Sequence, residues 1–392
     1  MKKIISMVLA AAIAAGLSTG CGSKLEKRPG IYAGYQHSLL IKPDGSLWAW
    51  GNNRERQLGD DTKESKLTPT KVMDDVVAVC AGYGEHTLAI KANGSLLAWG
   101  YNSDGQIGNG EKWTGTAKQK IIKVMDDVIA ASGGYAHSLA IKSDGSLWAW
   151  GDNKFGQLGD GTTTDSLTPV EIMDDVTAIS AGPYFSAAVK SDGSLWAWGN
   201  NDRGQIGDGT ITLFEDNDIS NGQIIEDNKK LTPVKIMDDV TMVSAGFNHI
   251  LAIKSDGSLW GWGQLLAGDS GGHISTVYDW DTGTSYDEIA SSVLPWKIMD
   301  DVISADAGHI RSFALKSDGS LWAWGHIGNS GTTRKPTEIM DDVVEVNAGW
   351  FHALAIKTDG SYWAWGNNEH GQIGNGTTSD FFTFVDPVKI MD

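Results

Sequence analysis

The chain has 392 residues, a formal net charge of −18, 49 glycines, 17 tryptophans and two cysteines. So acidic a chain repels phosphate backbones, and no basic tail offsets it, which argues against nucleic acid as a partner. Cys80 is the one cysteine besides Cys21, so no internal disulfide of the mature chain is expected and stability must come from a packed core.

Met1-Lys2-Lys3 followed by the apolar run Ile4 to Ala15 reads as an export signal, too short for a comfortable transmembrane helix. Leu17-Ser18-Thr19-Gly20-Cys21 then resembles a bacterial lipobox, whose cysteine is lipidated and becomes the first mature residue, with Ser18 where that pattern prefers Leu. Residues 1–20 are thus expected to be a lipoprotein-type signal peptide, Cys21 the lipidation site, and 21–29 a tether. The protein would be exported and lipid-anchored on the outer side of a bacterial membrane, meeting the membrane only through that anchor. Ordinary cleavage after a small residue such as Ala14 is the alternative.

From residue 30 to 392 one unit recurs seven times, marked by W-x-W-G or its variant ending at Gly51, Gly100, Gly151, Gly199, Gly263, Gly325 and Gly366. A fixed period of this length means a repeat architecture. Within the copy from Gly134 to Val176, four short strands are predicted, over Val176–Ala181 (the first strand of the following copy), His137–Lys142, Ser146–Gly151 and Thr168–Ile172. The second and third are joined by Ser-Asp-Gly, which supplies the positive φ of a tight turn. Trp148 and Trp150 are two apart and share a face, leaving Ala149 and Gly151 on the other. Such a sheet stacks on a copy of itself, and all of the 17 tryptophans except Trp113, Trp280, Trp296 and Trp350 belong to this stripe. The prediction is an all-β, seven-bladed β-propeller of four-stranded blades. The first copy lacks the MDDV lead-in and the last stops at Ile390-Met391-Asp392, so the C-terminus is expected to supply what the N-terminus lacks.

The unit A-G-x-x-H-S followed by W-x-W-G-x-N-x-x-G-Q-L-G resembles the regulator of chromosome condensation repeat family over about residues 30–392. The resemblance implies a seven-bladed propeller. It implies function only loosely, because one fold hosts many functions. The family includes a nuclear exchange factor for a small GTPase and a secreted bacterial inhibitor that covers β-lactamase with one propeller face. The export signal and the charge argue against a GTPase partner here.

The distance from the Met of MDD to the next W-x-W glycine is constant in five copies, as from Met125 to Gly151 and from Met340 to Gly366. All the length variation falls between the third and fourth strands, in loops sharing a face with the A-G-x-x-H loops. Variable loops on a rigid scaffold are where binding resides. Two insertions, 210–231 and 264–295, stand out; the oxygen-rich run Asp279 to Glu288 in the second fails the spacing of a calcium loop. On the same face the A-G loops carry Tyr35, Tyr83, Tyr135, Tyr184, Phe185, Phe247, Trp350 and Phe351. These, with Trp280 of the second insertion, are the candidate partner-binding residues, since aromatics dominate interface hot spots. Padding of the core is the competing role. The opposite face carries the Ser-Asp-Gly turns and MDD corners, whose aspartates are explained by turn chemistry.

His37, His86, His137, His249 and His352 occupy the repeat histidine, with Phe185 and Arg311 in its place elsewhere; a periodic histidine reads as structural. No G-x-S-x-G, H-E-x-x-H, C-x-x-C or P-loop is present. The sequence is therefore read as a non-enzyme with no cofactor and no metal. It presents one loop face to a protein or peptide partner, with inhibition of a secreted enzyme such as a β-lactamase as a narrower form. A propeller that binds or hydrolyses envelope polysaccharide and a purely structural envelope component are the alternatives.

Overall fold

A computed structural model describes residues 29–113, 120–210, 228–264, 276–279, 284–287, 292–309, 311–326, 332–380 and 383–392. Seven four-stranded antiparallel sheets form the blades of a propeller. They cover residues 30–73, 76–125, 128–173, 176–237, 240–299, 302–340 and 343–391, here called blades 1 to 7. Blade 3 shows the pattern with strands Val128–Gly133, His137–Lys142, Leu147–Gly151 and Ser166–Met173, paired in chain order from the channel outward. Its fourth strand is longer than predicted. In blades 4 and 5 the fourth strand likewise begins early, at Lys230 and Ser292, so the inserted segments are shorter than 210–231 and 264–295. Within the second insertion Thr276–Asp279 pairs with Thr284–Asp287 as a small separate hairpin.

The alternation of large and small residues on the third strand builds the joints. Trp150, fully buried, packs with Ala98 of blade 2, while Ala149 on the other face packs with Trp198 of blade 4. The same exchange of indole for alanine closes the ring, where Trp50 of blade 1 packs with Ala364 of blade 7. The two tryptophans of a pair nevertheless differ. Trp148 is only half-buried at the outer part of its joint, its Nε1 donating to Ser146 Oγ at 2.9 Å and Lys142 Nζ lying 4.8 Å from its ring. Gly151 ends the strand at φ +104°, and a Cβ there would stand 2.3 Å from the carbonyl of Ala136, so no other residue fits.

The seam corrects the expectation from the chain ends. No blade combines strands from the two ends of the chain, and the C-terminal strand Phe384–Met391 completes blade 7 rather than blade 1. Side chains hold the seam instead. Glu345 Oε1 accepts from Ile31 N at 3.1 Å and Asn347 Oδ1 accepts from Ala33 N at 2.6 Å, while Trp50 Nε1 donates to the Gln372 carbonyl at 2.9 Å.

On the face opposite the loops, turn geometry accounts for the aspartates. Asp144 Oδ1 accepts from both N and Oγ of Ser146, which holds its carboxyl below the usual range. The second aspartate of each MDD corner sits at a positive φ, +62° at Asp127 and Asp175. In blades 1, 2, 4 and 5 the first pairs with a lysine three residues earlier, as Asp74 does with Lys71 at 2.7 Å, whereas Glu171 and Glu338 stand at that position in blades 3 and 6.

Candidate functional site

The loop between the first and second strands and the loop after the third emerge together at one end of each blade. A main-chain bond from Asp152 N to the Ala136 carbonyl, 2.8 Å, ties them in blade 3, and Asn52 N to Gln36 O repeats it in blade 1. Seven of the nine candidate aromatics lie on this face, in two groups with different surroundings.

The first group closes the mouth of the central channel. Trp350 is the hub: His309 stacks on it with ring centroids 4.4 Å apart, and Tyr35, Phe247 and Tyr83 meet it edge-on at 4.8, 5.0 and 6.0 Å. Phe351 packs against Tyr35, His309 and Trp350. Tyr83 spans the ring from blade 2, donating its hydroxyl to the Ala307 carbonyl of blade 6 at 3.0 Å. These rings are half-buried and hold one another, so they form a plug. Tyr35, Tyr83, Phe247, Trp350 and Phe351 thus pack chiefly on one another at the channel mouth, each keeping part of its surface exposed. His309 joins them unforeseen, because the repeat pattern singles out only the position two residues later, held in this blade by Arg311.

The second group stands on the rim of blades 3 and 4. Tyr135 is 39 % exposed, and its ring centroid lies 5.8 Å from that of Tyr184, which in turn lies 5.2 Å from Phe155. Lys229 Nζ is 5.7 Å from the Phe155 ring, and Lys154 pairs with Asp152 at 3.1 Å beside the cluster. Phe155 was missed because it lies in the G-x-N-x-x-G-Q-L-G loop, where Glu55 stands in blade 1; its departure from the repeat was the available signal. Phe185 does not belong to either group. It occupies the repeat-histidine position with no exposed surface, so it is a core residue and cannot meet a partner. Trp280 lies outside the described residues, as does Cys21.

Below the plug the channel wall is a belt of bonds from blade to blade. Cys80 Sγ accepts from Gly133 N at 3.1 Å, Ser132 Oγ from Ala181 N at 3.0 Å, and Ser180 Oγ from Ala245 N at 2.9 Å. Asp306 continues it, accepting from Ser244 Oγ, Asn347 Nδ2 and Ala348 N at 2.8–2.9 Å. Burial pushes the Cys80 thiol up to about 11, so it is an acceptor in a wall and not a nucleophile. Burial likewise raises Asp306 to about 6 and Glu345 to about 7, the charge of Asp306 adding to the rise at Glu345. Both are engaged by backbone N–H groups, and no group of three or more potential metal ligands occurs among the described residues.

The repeat histidines sit between blades. His137 Nε2 lies 2.9 Å from Ser186 Oγ, and that hydroxyl donates to the Gln157 carbonyl at 2.8 Å. Since the one hydroxyl proton is committed to the carbonyl, the imidazole must donate from Nε2, leaving Nδ1 bare and unpartnered. His86 with Ser138 and Gln106, and His352 with Ser38 and Gln372, repeat the relay. Burial lowers His137 to about 3 and His86 to about 4, so the rings are neutral structural donors.

The model of the RCC1-like domain matches residues 26–264, and that of the regulator of chromosome condensation (RCC1) repeat matches 343–372 and 359–392. The chain belongs to the RCC1-like family. Among relatives, this RCC1-like chain is 28 % identical over 145 residues to the ultraviolet-B receptor UVR8 of Arabidopsis thaliana, which is 36 % of the chain and 33 % of the receptor. It is also 28 % identical over 302 residues to the probable E3 ubiquitin-protein ligase HERC4 of Homo sapiens, 74 % of the chain but 27 % of the ligase. The matches thus span about a third or less of these relatives' lengths. Among solved structures, human WBSCR16 superposes with a TM-score of 0.66 at 20 % identity, covering 85 % of this chain and 87 % of that one. Prp20p from Saccharomyces cerevisiae, described with its binding properties to Gsp1p and histones, superposes with a TM-score of 0.65 at 22 % identity over 82 % and 80 %. At such identities the likeness is one of fold.

Proposed function

We propose that this RCC1-like propeller is an exported, lipid-anchored binding platform that takes up a protein or peptide partner on its loop face, over blades 3 and 4. The observation that carries the reading is the rim cluster of Tyr135, Tyr184 and Phe155, with Tyr135 the most exposed of the candidate aromatics whose burial is described. Tyrosine offers a large amphipathic surface at low entropic cost, as an interface anchor requires. Lys154 and Lys229 beside the rings, with Asp104 and Asp152, supply the mixed polar rim that excludes water from such an anchor. Binding of partner proteins is also what the description of Prp20p records of that fold relative. The lipobox at Cys21, with the following residues as tether, would hold the face outward from the membrane.

The test compares the purified protein with a Tyr135→Ala/Tyr184→Ala variant as immobilised bait against extract of the source cells. Because both rings lie on the rim, the variant is expected to keep the wild-type unfolding temperature and to lose one captured protein at least tenfold. Undiminished capture would move the site elsewhere. An exported hydrolase as the captured protein would narrow the reading to enzyme inhibition. Cells fed labelled palmitate should label the wild type and not Cys21→Ala; label in both would refute the anchor.

A further inference from the structure

Blade 6 breaks the histidine relay at three positions at once. Arg311 replaces the histidine, Ala353 of blade 7 replaces the serine it would meet, and the G-Q-L-G segment whose carbonyl completes the relay is absent after Gly325. The arginine is 1 % exposed, and Nε, Nη1 and Nη2 all lack a hydrogen-bond partner. Burial lowers it only to about 10, so the guanidinium keeps its charge at neutral pH. An uncompensated buried charge costs several kcal/mol or more, and a fold keeps one only where something supplies the opposite charge. Asp306, on the first strand of the same blade, cannot do so, since both of its oxygens are engaged by Ser244, Asn347 and Ala348.

The surroundings are suited to an anion. Arg311 pairs with Gly325, and Gly325 pairs with Thr333, so the three lie in a row across the blade with no side chain between the arginine and the threonine. Thr333 Oγ1 is also buried without a partner, as is Nδ1 of His326, the residue after that glycine. Phe384 of blade 7 floors the place, with its ring 5.8 Å from the guanidinium carbon and 5.0 Å from the His326 ring. The ring face attracts the cation but provides no acceptor for its five N–H groups.

We propose that the joint between blades 6 and 7 is a binding site for a small oxyanion, a carboxylate or a phosphate, held in the fork of Arg311 with Thr333 and His326 as further donors. The planar guanidinium matches two oxygens of either group. The ligand would complete a joint that blades 1, 2, 3 and 7 close with a histidine, a hydroxyl and a backbone carbonyl.

The experiment is thermal unfolding of the purified protein at constant ionic strength, with sodium chloride replaced stepwise by sodium phosphate or sodium acetate. The variant Arg311→His restores the residue found in five sister blades and is expected to fold. For the wild type a saturating rise of about 3 °C is expected with at least one of the two anions, absent in Arg311→His and reduced in Thr333→Val. A response to phosphate alone, or to acetate alone, would support the site and name its ligand class. An equal rise in wild type and Arg311→His would overturn the proposal, as a general salt effect. Calorimetric titration of the wild type with each anion decides the matter should the variant not fold: saturable one-to-one binding supports the site, and no binding of either anion overturns it.

Discussion

His137 is held as a neutral donor between blades 3 and 4, and four more repeat histidines are placed alike, His37 and His352 at about 3 and His249 and His86 at about 4. In the unfolded chain each returns to about 6.5. As pH falls below that value the unfolded state takes up protons that the folded state refuses. Each histidine therefore withdraws up to about 1.4 kcal/mol of stability per pH unit, until its folded value is reached. Asp306 and Glu345 act in the opposite sense: raised to about 6 and about 7, they stabilise most below the ordinary carboxylate range and lose that contribution as pH rises through those values. Five groups outweigh two, so the unfolding midpoint should fall steadily from pH 6.5 to pH 4.5. His137→Gln, which can still donate to Ser186, should make the acid slope shallower, and Glu345→Gln, by removing a group that gains stability as the pH falls from 7 towards 4.5, should make it steeper. Denaturant unfolding across pH 4.5–8 checks both, and an unchanged acid slope in His137→Gln would contradict the relay. The periodic histidine was readable as structural from the sequence. Its partner was not, because Ser186 lies in the neighbouring blade.

At the scale of the strand, the two-residue spacing of Trp148 and Trp150 showed that both face one joint, but not that they differ in depth. Trp150 is enclosed by blade 2, with Nε1 bonded to the Gln106 carbonyl at 2.8 Å, whereas Trp148 lies at the outer part under Lys142. Period-2 reasoning assigns faces and is blind to distance from the propeller axis. Trp150→Ala should cost about 3–5 kcal/mol by transfer and cavity terms. Trp148→Ala, already half in water, should cost about 1–2 kcal/mol. Equal costs from chemical denaturation would mean that the joint is not packed as described. Strand ends were the less legible part: the fourth strand Ser166–Met173 outruns the Thr168–Ile172 read from β-forming residues, since its outer edge position tolerates polar ends.

At the scale of the ring, seven copies of one unit made the propeller legible, and the resemblance agreed with it. The seam was misread because the chain ends suggested a shared blade, while the structure closes it with Glu345, Asn347, His352 and Gln372 reaching across to blade 1. The site was half legible. The sequence placed the aromatics on one face, yet only the curvature of the ring separates those that converge on the axis from those that stay on the rim. Tyr83 bonding to Ala307 across the channel is a contact that no repeat pattern encodes. The most direct test is photo-crosslinking in the source cells, with a benzoylphenylalanine substituted for Tyr135 in one strain and for Phe351 in another. A discrete adduct of constant mass from position 135, and none from position 351, is the predicted result. An adduct from position 351 alone would contradict the account, making the central aromatics the partner surface and the rim cluster a bystander.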